Sequence, residues 1–183
     1  MGWLMREKRI GETISLKNYV RSVCDPFMDV KGVSIVGSIA YIAVSIPKTN
    51  GIVCLVFMLR NTKTEIGYKD MDESMYPYYF DCPKKILDML TPTECDNSNK
   101  WRKECRRRIP INKAYRKIGP GTVIDTVESI SFGRKSEYGP YSQFTCVDKG
   151  RGHYKAHSPN GSGGMHVKLS KSNILDAGFT VRY

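Results

Sequence analysis

The sequence predicts an α+β protein in three parts. These are an N-terminal antiparallel sheet with short helices over residues 1–95, a basic connecting helix and linker over 96–118, and a small SH3-like β-barrel over 119–183. Three observations predict this. β-branched runs separated by turn residues fill 33–69, nine cations crowd between Lys100 and Lys117, and after Gly119-Pro120-Gly121 the texture changes to short strands and frequent turns. A length of 183 residues suits two small modules.

Each element has a local signal. Leu16, Tyr19, Val20 and Val23 recur at helical spacing after Thr13, and Asp25-Pro26 stops the pattern, which predicts a short helix. Val33 to Ile46, the turn 47–51 and Ile52 to Arg60 read as a hairpin. Asn61-Thr62-Lys63 turns the chain into a third strand at 64–69. Asp81-Cys82-Pro83 starts a short helix lined by Ile86, Leu87 and Leu90 and stopped by Thr91-Pro92. Asp96 to Arg108 reads as a basic helix anchored by Trp101 and Cys105 at i and i+4, broken by Pro110. Strands are expected at 122–125, 143–147, 153–156, 165–169 and 179–183, with a loop over 158–164.

Composition excludes several classes. With 40% apolar and 26% charged residues the chain is not disordered, collagenous or a coiled coil. Its longest apolar stretch, 33–46, is interrupted by Ser34, Gly37, Ser38 and Ser45 and falls short of the ~20 residues a membrane-spanning helix needs. Neither membrane contact nor export is expected, because the first residues form no uninterrupted apolar run and the sixth is Arg6 where a myristoylation signal requires Ser or Thr. The six scattered cysteines suit reduced thiols in a cytoplasm better than a disulfide framework.

The net charge of +11 points to a polyanionic partner, and its distribution sharpens the point. Lys100, Arg102, Lys103, Arg106, Arg107, Arg108, Lys113, Arg116 and Lys117 face only one acid, Glu104, across that segment. These nine are the candidate nucleic-acid contacts, because cations gain affinity by releasing counterions from phosphates whatever the base sequence. No helix-turn-helix, zinc-finger or RNA-recognition motif accompanies them, so shape- or charge-driven binding to double-stranded DNA or structured RNA is expected. From Glu65 to Asp96 the sign reverses. Asp70, Asp72 and Glu73 there, with Tyr76, Tyr78 and Tyr79, are the candidate protein-binding residues, although the aromatics equally suit packing under the following helix.

Catalysis and cofactors find little footing. The acids at 70–73 lack the glycine spacing and terminal glutamate of a calcium loop, and a nuclease site needs further acids that the sequence does not point to. His153 and His157 are four apart, but glycines and a proline around them argue against the helix that would bring both to one zinc. Asn160 to Gly164 lacks the Gly-Lys-Ser/Thr ending of a phosphate loop, and no Gly-x-Ser-x-Gly elbow occurs. A non-enzymatic protein without metal or cofactor is expected. The strands at 33–46 and 52–60 offer an edge for homodimerisation, or an edge that is covered; both read the same in sequence.

The stretch from Gly67 to Leu90, GYKDMDESMYPYYFDCPKKILDML, together with the opening Met1-Gly2-Trp3, resembles a family of proteins of unknown function carried by phages and mobile elements of gut Firmicutes. Trp101-Arg102 and the Gly119 to Asp125 strand continue the likeness more faintly. Within that setting the chain resembles the anti-CRISPR proteins that inhibit type II-A Cas9, some of which associate with double-stranded DNA. The resemblance implies a stoichiometric inhibitor that binds the Cas9–guide RNA complex, its target DNA, or both, with no catalytic residues to carry over. The alternative is a nucleic-acid-binding accessory protein of the mobile element with no defence target.

Overall fold

A computed structural model describes residues 2–47, 51–75, 77–133, 138–160 and 163–182. The chain is an α+β protein that divides into two compact units, Met1–Ile109 and Pro110–Tyr183.

The first unit holds β1 (Leu4–Glu7), α1 (Leu16–Val23), β2 (Asp29–Val36), β3 (Ile39–Ile46), β4 (Gly51–Asn61), β5 (Glu65–Asp72) and α2 (Lys84–Leu87). The first part of α3 (Asp96–Arg116) also belongs to it. Its five strands form one antiparallel sheet in the order β1-β5-β4-β3-β2. The sequence suggests three strands here; two more are present. The run 33–46 is not one strand, because Gly37 adopts φ +60° in the turn before Ile39 and folds the run back on itself as β2 and β3. β1 reaches the other edge by pairing Met5 with Gly67, where a Cβ would meet the Leu4 carbonyl at 2.5 Å.

Side chains alternate across this sheet, so it has two apolar faces. Tyr41, Ala43, Cys54, Val56 and Met71 pack against Ile86 and Leu87 of α2 and against Trp101 and Cys105 of α3. Ala40, Ile42, Val44, Phe57 and Leu59 pack against Val20 of α1 and neighbouring Cys24. The anchor expected of Trp101 and Cys105 is present, as both are buried.

Pro110 does not end α3, contrary to the sequence expectation; the helix continues to Arg116. A proline removes one ladder hydrogen bond. The turn before it carries Glu104 bridged to Arg107 and Arg108, and the last carbonyls of the helix are held by Lys149.

The second unit contains β6 (Val123–Phe132), β7 (Tyr138–Asp148), β8 (His153–His157), β9 (Gly164–Lys168), α4 (Lys171–Ala177) and β10 (Phe179–Arg182). Its antiparallel sheet runs β10-β6-β7-β8-β9. The expected strands are there, but the ladder is open: β10 and β9 are its two edges, and no closed barrel forms among the described residues. Between them lies α4, which the sequence reading missed. Ser170 caps it, accepting from the Asn173 backbone N–H while the Asn173 side chain accepts from the Ser170 N–H. Ile124, Phe144, Cys146, Tyr154, Ala156, Val167 and Ile174 form the core of this unit.

All six cysteines are free thiols, and only Cys95 is exposed. Among the described residues no helix is long and apolar enough to cross a membrane. Residues 48–50 of the expected 47–51 turn, Tyr76, residues 161–162 of the expected 158–164 loop and Tyr183 lie outside the described residues.

Candidate nucleic-acid interface

The helical repeat sorts the cations of α3. Ser98, Trp101, Arg102 and Cys105 stand at i, i+3, i+4 and i+7 and form the buried face. Lys100, Lys103 and Arg107, at i, i+3 and i+7, lie on the opposite side and are exposed. They form a line of three positive charges along two turns of solvent-facing helix. Lys100 and Lys103 make no ion pair among the described residues.

Neighbouring cations are tethered. Arg107 donates from Nε and Nη2 to the two carboxylate oxygens of Glu104, each at 2.8 Å, and Arg108 Nε donates to Glu104 Oε1 at 2.7 Å. Arg107, then Arg108, hold the Glu104 carboxyl well below the ordinary glutamate range, at about 2 against the opposing effect of partial burial. Glu104 therefore stays ionised and offsets part of the positive field. Arg106 Nη1 donates to Asp88 Oδ1 at 3.2 Å and its Nη2 to the Leu87 carbonyl at 3.1 Å, pinning α3 to the end of α2. Lys84, with Arg106, holds the Asp88 carboxyl below its usual value. The Arg108 guanidinium also lies 4.8 Å above the Phe80 ring.

Arg102 is not part of the surface assigned to it. It is buried, its Nε donates to Glu73 Oε2 at 2.7 Å, its Nη2 to Glu73 Oε1 at 2.5 Å, and its Nη1 to the Thr91 carbonyl. Glu73, read from sequence as a protein contact, is buried as its partner. The two residues neutralise one another inside the first unit and leave neither charge to a macromolecular partner. Their placement carries a helical signal that the sequence reading passed over: Arg102 shares the inward repeat with Ser98, Trp101 and Cys105.

Lys113, Arg116 and Lys117, in the second unit, are exposed and without ion pairs among the described residues. The Arg116 carbonyl, together with those of Tyr115 and Ile118, accepts from Lys149 Nζ at 2.9–3.1 Å.

The remaining candidates divide in two. Asp70 and Asp72 are exposed near the end of β5, with Asp72 Oδ1 accepting from the Ser74 N–H at 2.7 Å. Tyr78 and Tyr79 belong to a strap whose backbone faces the core. The Tyr78 carbonyl accepts from Trp101 Nε1 at 2.9 Å and the Tyr79 carbonyl from the Tyr41 hydroxyl at 3.1 Å, with Tyr79 at φ +59°. Such a φ is rare for an aromatic residue and is held here by those two bonds. The Tyr78 side chain is 59% exposed, whereas Tyr79 and Phe80 pack on the core. A depression of about 300 Å³ beside the strap is lined by Val36, Ile39, Tyr78, Tyr79, Asp81 and Arg108.

Hydrogen bonds from Ser98 lower the pKa of the exposed Cys95 thiol, whereas the buried Cys82 and Cys105 of this unit differ. Burial pushes the Cys82 and Cys105 thiols up, away from the thiolate form. Among the described residues no three His, Cys, Asp or Glu side chains are grouped to hold a metal ion. Compared with family models, curated proteins and solved structures, the chain matches none.

Proposed function

We propose that the protein acts by binding, not catalysis, and that it contacts nucleic-acid phosphates through the outward face of α3. The observation that carries the reading is the line of Lys100, Lys103 and Arg107 on the solvent side of a helix whose other side is fixed by Trp101 and Cys105. A rigid helix presenting cations at fixed spacing loses little entropy when it meets a phosphate backbone, and released counterions favour the complex. Arg106 and Arg108 flank the line at its edges.

The target proposed is the Cas9–guide RNA complex, its double-stranded DNA, or both, in the cytoplasm of a bacterial host. This part of the reading rests on the sequence resemblance of residues 67–90. Asp70, Asp72 and the exposed Tyr78 ring are the proposed protein contacts, since an acidic patch suits the positively charged channel of such an enzyme.

The test is an in-vitro cleavage assay with Cas9, guide and target, titrating the protein before and after target addition, alongside DNA mobility with the protein alone. Dose-dependent loss of cleavage, with Cas9 retained on the protein after nuclease treatment, is the expected result. Mobility shifts at low salt with cleavage unaffected would leave a nucleic-acid-binding accessory protein of the mobile element.

A further inference from the structure

All three histidines of the chain fall on one face of the second sheet. Tyr154 and Ala156 of β8 are buried, so His153, Lys155 and His157 project from the other side. On β9, Val167 is buried while His166 and Lys168 are exposed. The register sets Lys155 opposite His166 and His153 opposite Lys168. It continues across the sheet through Thr145 opposite Lys155, Val123 opposite Thr145 and Arg182 opposite Val123. The apolar core and α4 occupy the reverse face.

The carboxylates beside these rows are already engaged. Asp125 is paired with Arg182 at 2.5 Å and accepts from Gln143 Nε2 at 3.0 Å. Asp148 is paired with Arg151 at 3.6 Å. Glu128 lies beyond the irregularity that follows Asp125, off the paired rows, and Lys149 is turned to the carbonyls at the end of α3. His157 Nε2 is 2.7 Å from Thr145 Oγ1. Lys155 and Lys168 remain as cations without an ion pair among the described residues, interleaved with three imidazoles.

We infer that this face is a second phosphate-binding surface for nucleic acid, in which His153, His157 and His166 are interleaved with Lys155 and Lys168. Histidine is the side chain that ordinarily gains its charge between about pH 8 and about pH 5. Same-face cations recur about every 7 Å along a strand and about every 5 Å between strands, a flat array suited to an extended phosphate backbone. Gln143 and Thr145 add neutral hydrogen-bonding groups, and the row lacks the aromatic wedges of a membrane-surface site. The inference rests on the nucleic-acid reading but uses residues separate from the α3 line.

The experiment is fluorescence anisotropy of the full chain with a short mixed-sequence DNA duplex at about pH 7.5 and about pH 5.5, at matched ionic strength. Wild type is expected to bind several-fold tighter at the lower pH, with a salt slope steeper by about 0.9 for each histidine that meets a phosphate. H153Q/H157Q/H166Q should lose the increment, and His166→Gln alone, at an exposed site, should lose part of it. An increment that survives in the triple variant, or no increment in wild type, overturns the surface while leaving the α3 reading intact. Absence of DNA binding at both pH values overturns both. An increment seen with vesicles of anionic lipid but not with DNA overturns nucleic acid as the occupant.

Discussion

The Arg102 guanidinium and the Glu73 carboxylate form a two-pronged ion pair inside the first unit, with side chains 10% and 4% exposed. The pair ties α3 to the end of β5, and the third arm of Arg102 reaches the Thr91 carbonyl. Thr91 in turn exchanges hydrogen bonds with the backbone of β4: its N–H donates to the Ile52 carbonyl and its Oγ1 accepts from the Ile52 N–H. One arginine thus fixes the helix that presents the proposed phosphate contacts.

Breaking this pair from one side leaves a charge in the interior. Glu73→Leu or Arg102→Met is expected to destabilise the first unit by about 3–5 kcal/mol. The double variant R102M/E73L, which removes both charges, should lose less than the two single changes together. Denaturant unfolding of the three variants checks this, and additive losses would show that the two charges do not depend on each other.

Glu104 gives the α3 surface an acid limb. Its carboxyl lies at about 2 in the folded chain, below the ordinary value of 4.5, because Arg107 and Arg108 favour the ionised form. The unfolded chain therefore takes up the proton first. The stabilisation is complete above the ordinary glutamate range and is lost as pH falls from there towards about 2. Glu104→Gln should flatten that part of the stability profile. It should also tighten binding to duplex DNA, because it removes a negative charge from among the cations.

Lys149 closes the C-terminal end of α3 in the second unit. Its ammonium donates to the carbonyls of Tyr115, Arg116 and Ile118 and lies 4.8 Å from the centre of the Tyr115 ring. Lys149→Met keeps most of the apolar stem and removes the ammonium from all three carbonyls, of which that of Tyr115 still accepts from the Ile118 N–H. A loss of about 1–3 kcal/mol in the stability of this unit is expected, with unfolding followed by denaturant titration. Wild-type stability would mean that water satisfies the carbonyls equally well.

The strength of each local signal decided what the sequence revealed. Trp101 and Cys105 read as an inward face because α3 is long and its period is clear over two turns. The same period includes Arg102, but its partner Glu73 stands 29 residues earlier, and a pair that distant leaves no pattern in the sequence. The five strands of the second unit were legible as short β runs. Closure into a barrel depends on which strands meet at the edges, and that is set by tertiary packing. The β2–β3 turn was hidden because Gly37-Ser38 sits inside an apolar run, and β1 because four exposed edge residues carry no alternation. α4 had a readable start in Ser170 and Asn173 and a stop in Gly178.

The most direct measurement of the central claim is the affinity and salt dependence of K100A/K103A/R107A for a mixed-sequence duplex, compared with wild type. Lys100 and Lys103 face solvent and Arg107 pairs with Glu104 at the surface, so the buried contacts of Trp101, Arg102 and Cys105 that fix α3 are untouched. The account predicts weaker binding to every sequence tested and a slope of log K against log salt shallower by up to about 0.9 for each phosphate that the variant no longer neutralises. Wild-type affinity and slope in the triple variant would contradict it.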